Sequence, residues 1–192
     1  MGDPVLKPLL IVLIDGFADW ETPLIAGIGG DFYGLNARYV TPGGGDLTSI
    51  GGLRVAGLPD FLPLGDEVIV LCGSDGWCRA DAPDLSVPLR EAHDNGQTVA
   101  AICAATLSLA RAGLLEGRAH TSNGLDFLKY HLPDYSAQQT YRDLPHAVAD
   151  GGIVTAPGTA PVTFAGEVFR AAGLSQDKLA QFRQIATAEH RA

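Results

Sequence analysis

The chain is predicted to be an α/β protein, a mostly parallel sheet sandwiched between two helical layers. Three observations predict this. Residues 9–14, 68–72 and 98–102 are short runs dominated by apolar residues instead of alternating, as strands covered on both faces are. Between them lie stretches with helical spacing, such as Leu85, Leu89 and Ala92 ahead of Asn95-Gly96, and strand–helix alternation marks a parallel sheet. The 192 residues, 46% hydrophobic and 18% charged, supply one full-sized core without the charge density of a disordered chain. One domain over residues 1–192 is expected, with a core at about 7–174 and a C-terminal helix at about 176–190.

The elements follow in order. Residues 9–14 form a continuous apolar run, expected as a central strand. Asp15-Gly16 turns the chain into a helix over 20–28 that carries Trp20, Leu24 and Ile28 on one side. Residues 37–41 form the next strand. Pro42-Gly43-Gly44-Gly45 is a turn, and 47–55, broken by Gly51-Gly52, is a small hairpin. Residues 68–72 are the second fully apolar strand. Pro83 opens a helix that stops near Asn95-Gly96. The strand 98–102 runs into Cys103 and then into a helix ending at Gly113. A short strand at 119–122, a helix from Leu125 to His131, a late strand at 152–156 and a helix at 161–172, ended by Gly173, come next. A polar helix over 176–189 closes the chain.

Bulk properties exclude several classes. A net charge of −9 argues against nucleic acid and against anionic membrane surfaces. No run is long enough to span a bilayer. The apolar run before Asp15 is short and lacks a small-residue cleavage site, so it is a strand and not a signal peptide. Met1-Gly2 is followed by Leu6 where a myristoylation signal wants Ser or Thr. Three cysteines, Cys72, Cys78 and Cys103, make no disulfide framework and no zinc-like spacing. A reducing cytoplasm is the expected location. No glycine-rich loop has Rossmann or Walker spacing, so no cofactor and no metal is expected.

Cys103 carries the chemistry. A strand running into Cys and straight into a helix has the sequence form of a nucleophile elbow, and Ala101, Ala104 and Ala105 are small enough for the sharp turn. The helix N-terminus is expected to lower the thiol pKa. The competing reading is a buried Cys acting as a small hydrophobe. Parallel sheets gather ligands at the carboxyl ends of their strands, so four further loops should converge on Cys103. The first holds Asp15, Asp19 and Glu21; the second is Gly73-Ser74-Asp75-Gly76-Trp77; another follows residues 119–122; the last is Pro157-Gly158-Thr159. A carboxyl from the first loop could bond the thiol. The backbone N–H groups of Gly73, Ser74 and Ala104 could form an oxyanion hole.

Of the five histidines, only His120 lies beside a strand end that should face the elbow. It is either the general base or a half-buried His satisfied by backbone. His93 is expected on an exposed helix face, His146 in a loop and His190 in the tail. Trp77 either walls the pocket or packs under it. Cys72 either approaches Cys103 or is a core residue. Asp15 and Asp19 are expected as turn and cap residues.

Taken together, these segments resemble the ThiJ/PfpI superfamily, the DJ-one-like proteins. The match is carried by residues 9–14 with Asp15-Gly16-Phe17-Ala18-Asp19-Trp20-Glu21-Thr22, by residues 68–74 and by Ala100-Ala101-Ile102-Cys103-Ala104-Ala105. Ala119-His120-Thr121-Ser122-Asn123 and residues 153–160 extend it. Thr48-Ser49-Ile50-Gly51-Gly52-Leu53, Gly113-Leu114-Leu115 and Phe164-Ala165 look most like the YdeA-like bacterial branch. The resemblance implies a flavodoxin-like three-layer sandwich, related to class I glutamine amidotransferases, and a homodimer. It implies that Cys103 is the reactive cysteine, that Glu21 is a buried, protonated acid bonded to it, and that Gly73 and Ser74 lie on the oxyanion side. The family's Pro-Gly-Gly is Cys72-Gly73-Ser74 here. Ala104 stands where the protease and amidase branch has His. Ser122 stands where the glyoxalase and deglycase branch has His, with His120 two residues earlier.

Two functions from different classes follow. One is a hydrolase-type enzyme, protease- or amidase-like or glyoxalase- or deglycase-like, in which Cys103, Glu21 and His120 act on a small carbonyl substrate. The other is a non-enzymatic, cysteine-based sensor or protector in oxidative stress. The segment after Ala172 is too short and too weakly basic for a fused DNA-binding domain.

Overall fold

Four runs of hydrophobic residues that lack polar alternation become the buried centre of a sheet. The computed structural model describes residues 5–188; Met1, Gly2, Glu189 and His190 lie outside them. The strands are β1 (Leu9–Val12), β2 (Ala37–Val40), β3 (Gly45–Thr48), β4 (Arg54–Leu58), β5 (Val68–Leu71), β6 (Val99–Ile102), β7 (Val148–Asp150) and β8 (Ile153–Ala156). The main sheet has the order β2-β1-β5-β6-β8-β7. Its neighbours are parallel except β7, which runs antiparallel to β8. β3 and β4 pair as a separate antiparallel hairpin, with Leu47 opposite Val55.

The helices are α1 (Gly29–Tyr33), α2 (Ser86–Asp94), α3 (Thr106–Arg111), α4 (Leu125–His131), α5 (Pro161–Ala171) and α6 (Gln176–Ala186). Every residue of β1, β5, β6 and β8 is buried. Successive side chains leave a strand on opposite faces, so each strand feeds two cores. Leu9, Ile11, Val70, Ile102 and Val154 pack with Phe164, Phe169 and Phe182 of α5 and α6. Leu10, Val12, Ile69, Leu71 and Ala101 pack with Leu89 of α2 and Leu109 of α3. This is the expected three-layer arrangement. Among the described residues no helix is long and apolar enough to cross a membrane.

Two local expectations are corrected. The helix predicted over 20–28 starts at Leu24, as a wide π-turn (Leu24–Ile28) that continues into α1. Trp20 stays in the preceding turn because its indole N–H reaches across to Gly158 O at 3.1 Å. Residues 119–122 do not form a strand; His120 makes a single bridge to Tyr141. The sheet edge beside β8 is taken instead by β7, a three-residue strand too short to announce itself in the sequence.

The strand order places the site. From β1 the chain goes outward to β2, then returns to the other side of β1 to lay down β5 and β6. The crevice at the carboxyl ends of β1 and β5 is therefore a switch point, where parallel sheets expose loop backbone to ligands. The loops after β1, β5 and β6 meet there.

Candidate active site

Cys103 follows β6 directly and opens a tight turn (Cys103–Ala105) that leads into α3. Its φ is 60°, and among the described residues it is the only non-glycine with a positive φ. Left-handed backbone costs a side-chain-bearing residue roughly 1–2 kcal/mol. The surroundings hold it there. Thr106 Oγ1–H donates to Cys103 O at 2.7 Å, which leaves Ser122 Oγ as the donor to Thr106 Oγ1, also at 2.7 Å.

The sulfur sits among fixed donors. Asn123 Nδ2–H donates to Cys103 Sγ at 3.2 Å. The other end of the same amide accepts Gly158 N–H at 2.9 Å, so both ends of Asn123 are set. Gly158 has to be glycine: a Cβ there would lie 2.8 Å from Cys103 Sγ. The backbone N–H of Ala104 also pulls the thiol pKa down. The Gly158 peptide is held between Asn123 and the half-exposed Trp20.

Glu21 closes the site from below. It is fully buried, and its Oε2 accepts Gly73 N–H at 2.6 Å. Cys72 S–H points at the same oxygen, 3.6 Å away, with Ala18 O as its alternative acceptor at 3.5 Å. Oε1 has no partner. Burial raises the Glu21 carboxyl above its ordinary 4.5, against the lowering pull of Gly73 N–H and of the Cys103 and Cys72 thiols. A buried carboxylate with one unsatisfied oxygen is costly, so the fold shifts Glu21 toward its protonated form relative to an exposed Glu.

The expectation of a lowered thiol pKa is overturned. Burial pushes Cys103 up from 9.0 to about 11, and the Glu21 charge adds to it, while Asn123 and Ala104 N–H pull the other way. α3 has only six residues and is reached through a tight turn, so its end brings one N–H to the sulfur and not a full helical turn of them. Cys72 lies well above 9.0, first through burial and then through Glu21.

The structure brings Cys103, Glu21, Gly73 and Ala104 together but makes no bond between His120 and the sulfur. His120 is fully buried. Its Nδ1 pairs with Arg118 O at 2.8 Å and its Nε2 with the Tyr135 hydroxyl. Burial lowers its pKa below 6.5, so it is neutral near pH 7. Both ring nitrogens are thus taken by groups other than the sulfur. Gly73 N–H is committed to Glu21, which removes it from the expected oxyanion set; Ser74 Oγ caps its own turn and bonds Asp15 O. Trp77 is fully buried and donates to Cys72 O at 2.8 Å, so it packs under the loop. Asp15 and Asp19 fasten the β3–β4 hairpin through Thr48 N–H and Gly51 N–H.

Sequence reasoning gave no role to Asn123, Gly158 or Trp20. The available signal was positional: Asn123 and Gly158 sit in two loops expected to converge on the elbow. Among the described residues no cluster of three or more His, Cys, Asp or Glu could hold a metal ion.

Fold and site thus define an α/β protein with a cysteine at a strained strand–helix elbow, backed by a buried carboxyl group. The chain belongs to the DJ-1/PfpI family, whose model matches residues 7–171. It is 36% identical over 176 residues to "Uncharacterized protease YoaZ" of Bacillus subtilis (strain 168), covering 85% of this chain and 82% of that protein. It is 30% identical over 170 residues to "Uncharacterized protease YdeA" of the same organism, covering 83% and 80%. Among solved structures it is similar to the DJ-1 superfamily protein Atu0886 from Agrobacterium tumefaciens, with 38% identity and a TM-score of 0.88 over 97% of this chain and 100% of that one.

Proposed function

We propose that Cys103 is the nucleophile of a hydrolase-type enzyme acting on a small, electrophilic carbonyl compound. The observation that carries this reading is the strained φ of 60° at a cysteine whose sulfur accepts from the fixed Asn123 amide. Backbone strain at a reactive side chain is retained where geometry matters to function.

The chemistry follows from what surrounds the sulfur. The Cys103 sulfur forms a bond to the carbonyl carbon, the C=O π-bond opens onto oxygen, and the thiol proton ends on that oxygen. Glu21 is the buried group placed to carry that proton. Asn123 Nδ2–H and Ala104 N–H stabilise the anionic form of the site as the proton moves.

Within this class an aldehyde suits the site better than a peptide. Adding a thiol to an aldehyde needs only the proton relay. Breaking an amide also needs an acid to protonate the leaving amine, the usual task of a histidine. His120 is locked away from the sulfur, and Ala104 follows the nucleophile. The word protease in the relatives' names therefore carries less weight here than the glyoxalase-type reading, in which water is added across a 2-oxoaldehyde. The test is turnover of 2-oxoaldehydes, esters and peptides by the native protein, Cys103→Ala and Glu21→Gln. Loss of 2-oxoaldehyde consumption in Cys103→Ala is expected. Full activity in that variant would sink the mechanism.

A further inference from the structure

Cys72 is a buried thiol that the reaction above does not use. Its position beside Cys103 is set by the sheet. Leu71 pairs with Ala101 across β5 and β6, so one step on Cys72 stands beside Ile102 and diagonal to Cys103. Neighbouring strands lie about 4.8 Å apart, so the adjoining ends of β5 and β6 bring the two residues into one neighbourhood. A disulfide spans α-carbons at roughly 4.4–6.8 Å. The side chains converge as well. Cys72 Sγ lies 3.6 Å from Glu21 Oε2. A Cβ placed on Gly73 would lie 2.6 and 2.8 Å from the two Glu21 oxygens and 2.7 Å from Cys103 Cβ. One carboxyl group thus faces both cysteines. Their access to solvent differs: Cys103 is partly exposed and Cys72 is fully buried.

We propose that Cys72 is the resolving thiol for Cys103, and that peroxide converts the pair into an internal, reversible disulfide. This rests on Cys103 being the reactive nucleophile proposed above. The chemistry has two steps. Cys103 sulfur attacks one oxygen of hydrogen peroxide; the O–O bond breaks, one water leaves, and Cys103 becomes a sulfenic acid. Cys72 sulfur then attacks Cys103 sulfur; the S–S bond forms, the S–O bond breaks, and the hydroxyl departs as water with the Cys72 proton. The two sulfurs each lose one electron, and the peroxide is reduced to two waters. The Glu21 carboxyl, already in contact with Cys72 Sγ, is placed to pass that proton on. Closing the bond requires the carboxyl to swing aside, which switches the nucleophile off while sparing it from irreversible oxidation.

The test uses the full chain carrying Cys78→Ala, so that two thiols remain. It is titrated with hydrogen peroxide, denatured, alkylated, and examined by intact mass and peptide mapping. The expected product has lost two hydrogens, about 2 Da, resists alkylation at both sites and recovers both thiols with a dithiol reductant. A crosslinked peptide pair contains Cys72 and Cys103. In Cys72→Ala, and separately in Cys72→Ser to guard against a folding defect, Cys103 proceeds to sulfinic acid, a gain of about 32 Da. The fraction of Cys103 recoverable by reductant then falls at least about tenfold, because sulfinic acid resists such reductants. If the protein with Cys72 intact gains the two oxygens as fast as the Cys72 variants, with Cys72 still open to alkylation, the resolving role is wrong and the reactive Cys103 stands. If Cys103 stays unmodified while peroxide oxidises other residues, both readings fall.

Discussion

The pH dependence of Cys103 alkylation tests the electrostatics of the site directly. Burial, with the Glu21 charge second, pushes the thiol from 9.0 to about 11. At pH 7 the thiolate is then about one molecule in 10,000, against about one in 100 for an ordinary thiol, since each pKa step is tenfold. Native Cys103 should therefore react with iodoacetamide about 100-fold more slowly at pH 7 than an exposed thiol, with a rate still climbing above pH 9. Glu21→Gln removes the negative charge while keeping an acceptor for Gly73 N–H and nearly the same volume. The thiol pKa falls, and alkylation below pH 9 accelerates. The gain stays under the full 100-fold because burial, the larger cause, remains. The assay is stopped-time alkylation read by mass spectrometry on the Cys103 peptide, from pH 6 to pH 11. A native rate already level by pH 7, or a slower rate in Glu21→Gln across the whole range, would refute this account of the site.

The remaining predictions concern the same few atoms. Glu21 has a raised folded-state pKa, so the folded chain keeps a proton that the unfolded chain releases above about 4.5. Its stabilising contribution is present below that value and is lost as pH rises through the folded value; thermal melts of native protein should fall relative to Glu21→Gln across this window, and a pH-independent difference would contradict the assignment. Gly158→Ala places a Cβ 2.8 Å from Cys103 Sγ. The sulfur should leave its bond to Asn123, and turnover or alkylation should change at least about tenfold, while stability drops by only about 1–3 kcal/mol as in ordinary overpacking. Cys103→Gly should be more stable than Cys103→Ala by about 1 kcal/mol in denaturant melts, because only glycine relieves the positive φ. Equal stability would mean that the elbow stores no strain.

The elbow shows how much of the site was legible before folding. A strand, a cysteine and a helix in unbroken succession gave Cys103; the loop after β1 offered Asp15, Asp19 and Glu21, from which the family resemblance singled out Glu21, and Gly73 was placed at the site but in another role. Asn123 was less visible because its role depends on two bonds made 20 and 35 residues away along the chain. His120 is the opposite case, left open by the sequence between a general base and a His satisfied by backbone. Its place beside a presumed strand end suggested catalysis, but β7 took that edge, and the imidazole turned to Arg118 O and Tyr135.

By itself the sequence determined the layered α/β fold, because runs without polar alternation can be satisfied only by a sheet covered on both faces. It also located a cysteine at a sharp turn, since small neighbours and strand–helix succession are local properties. Only the tertiary structure decided the state of that cysteine. Burial and a shared carboxyl group raise its pKa where a helix end alone would lower it, and those terms depend on which groups the fold brings within a few ångströms. The same packing decided that one carboxyl group, Glu21, faces both Cys72 and Cys103, a relation that no local pattern encodes.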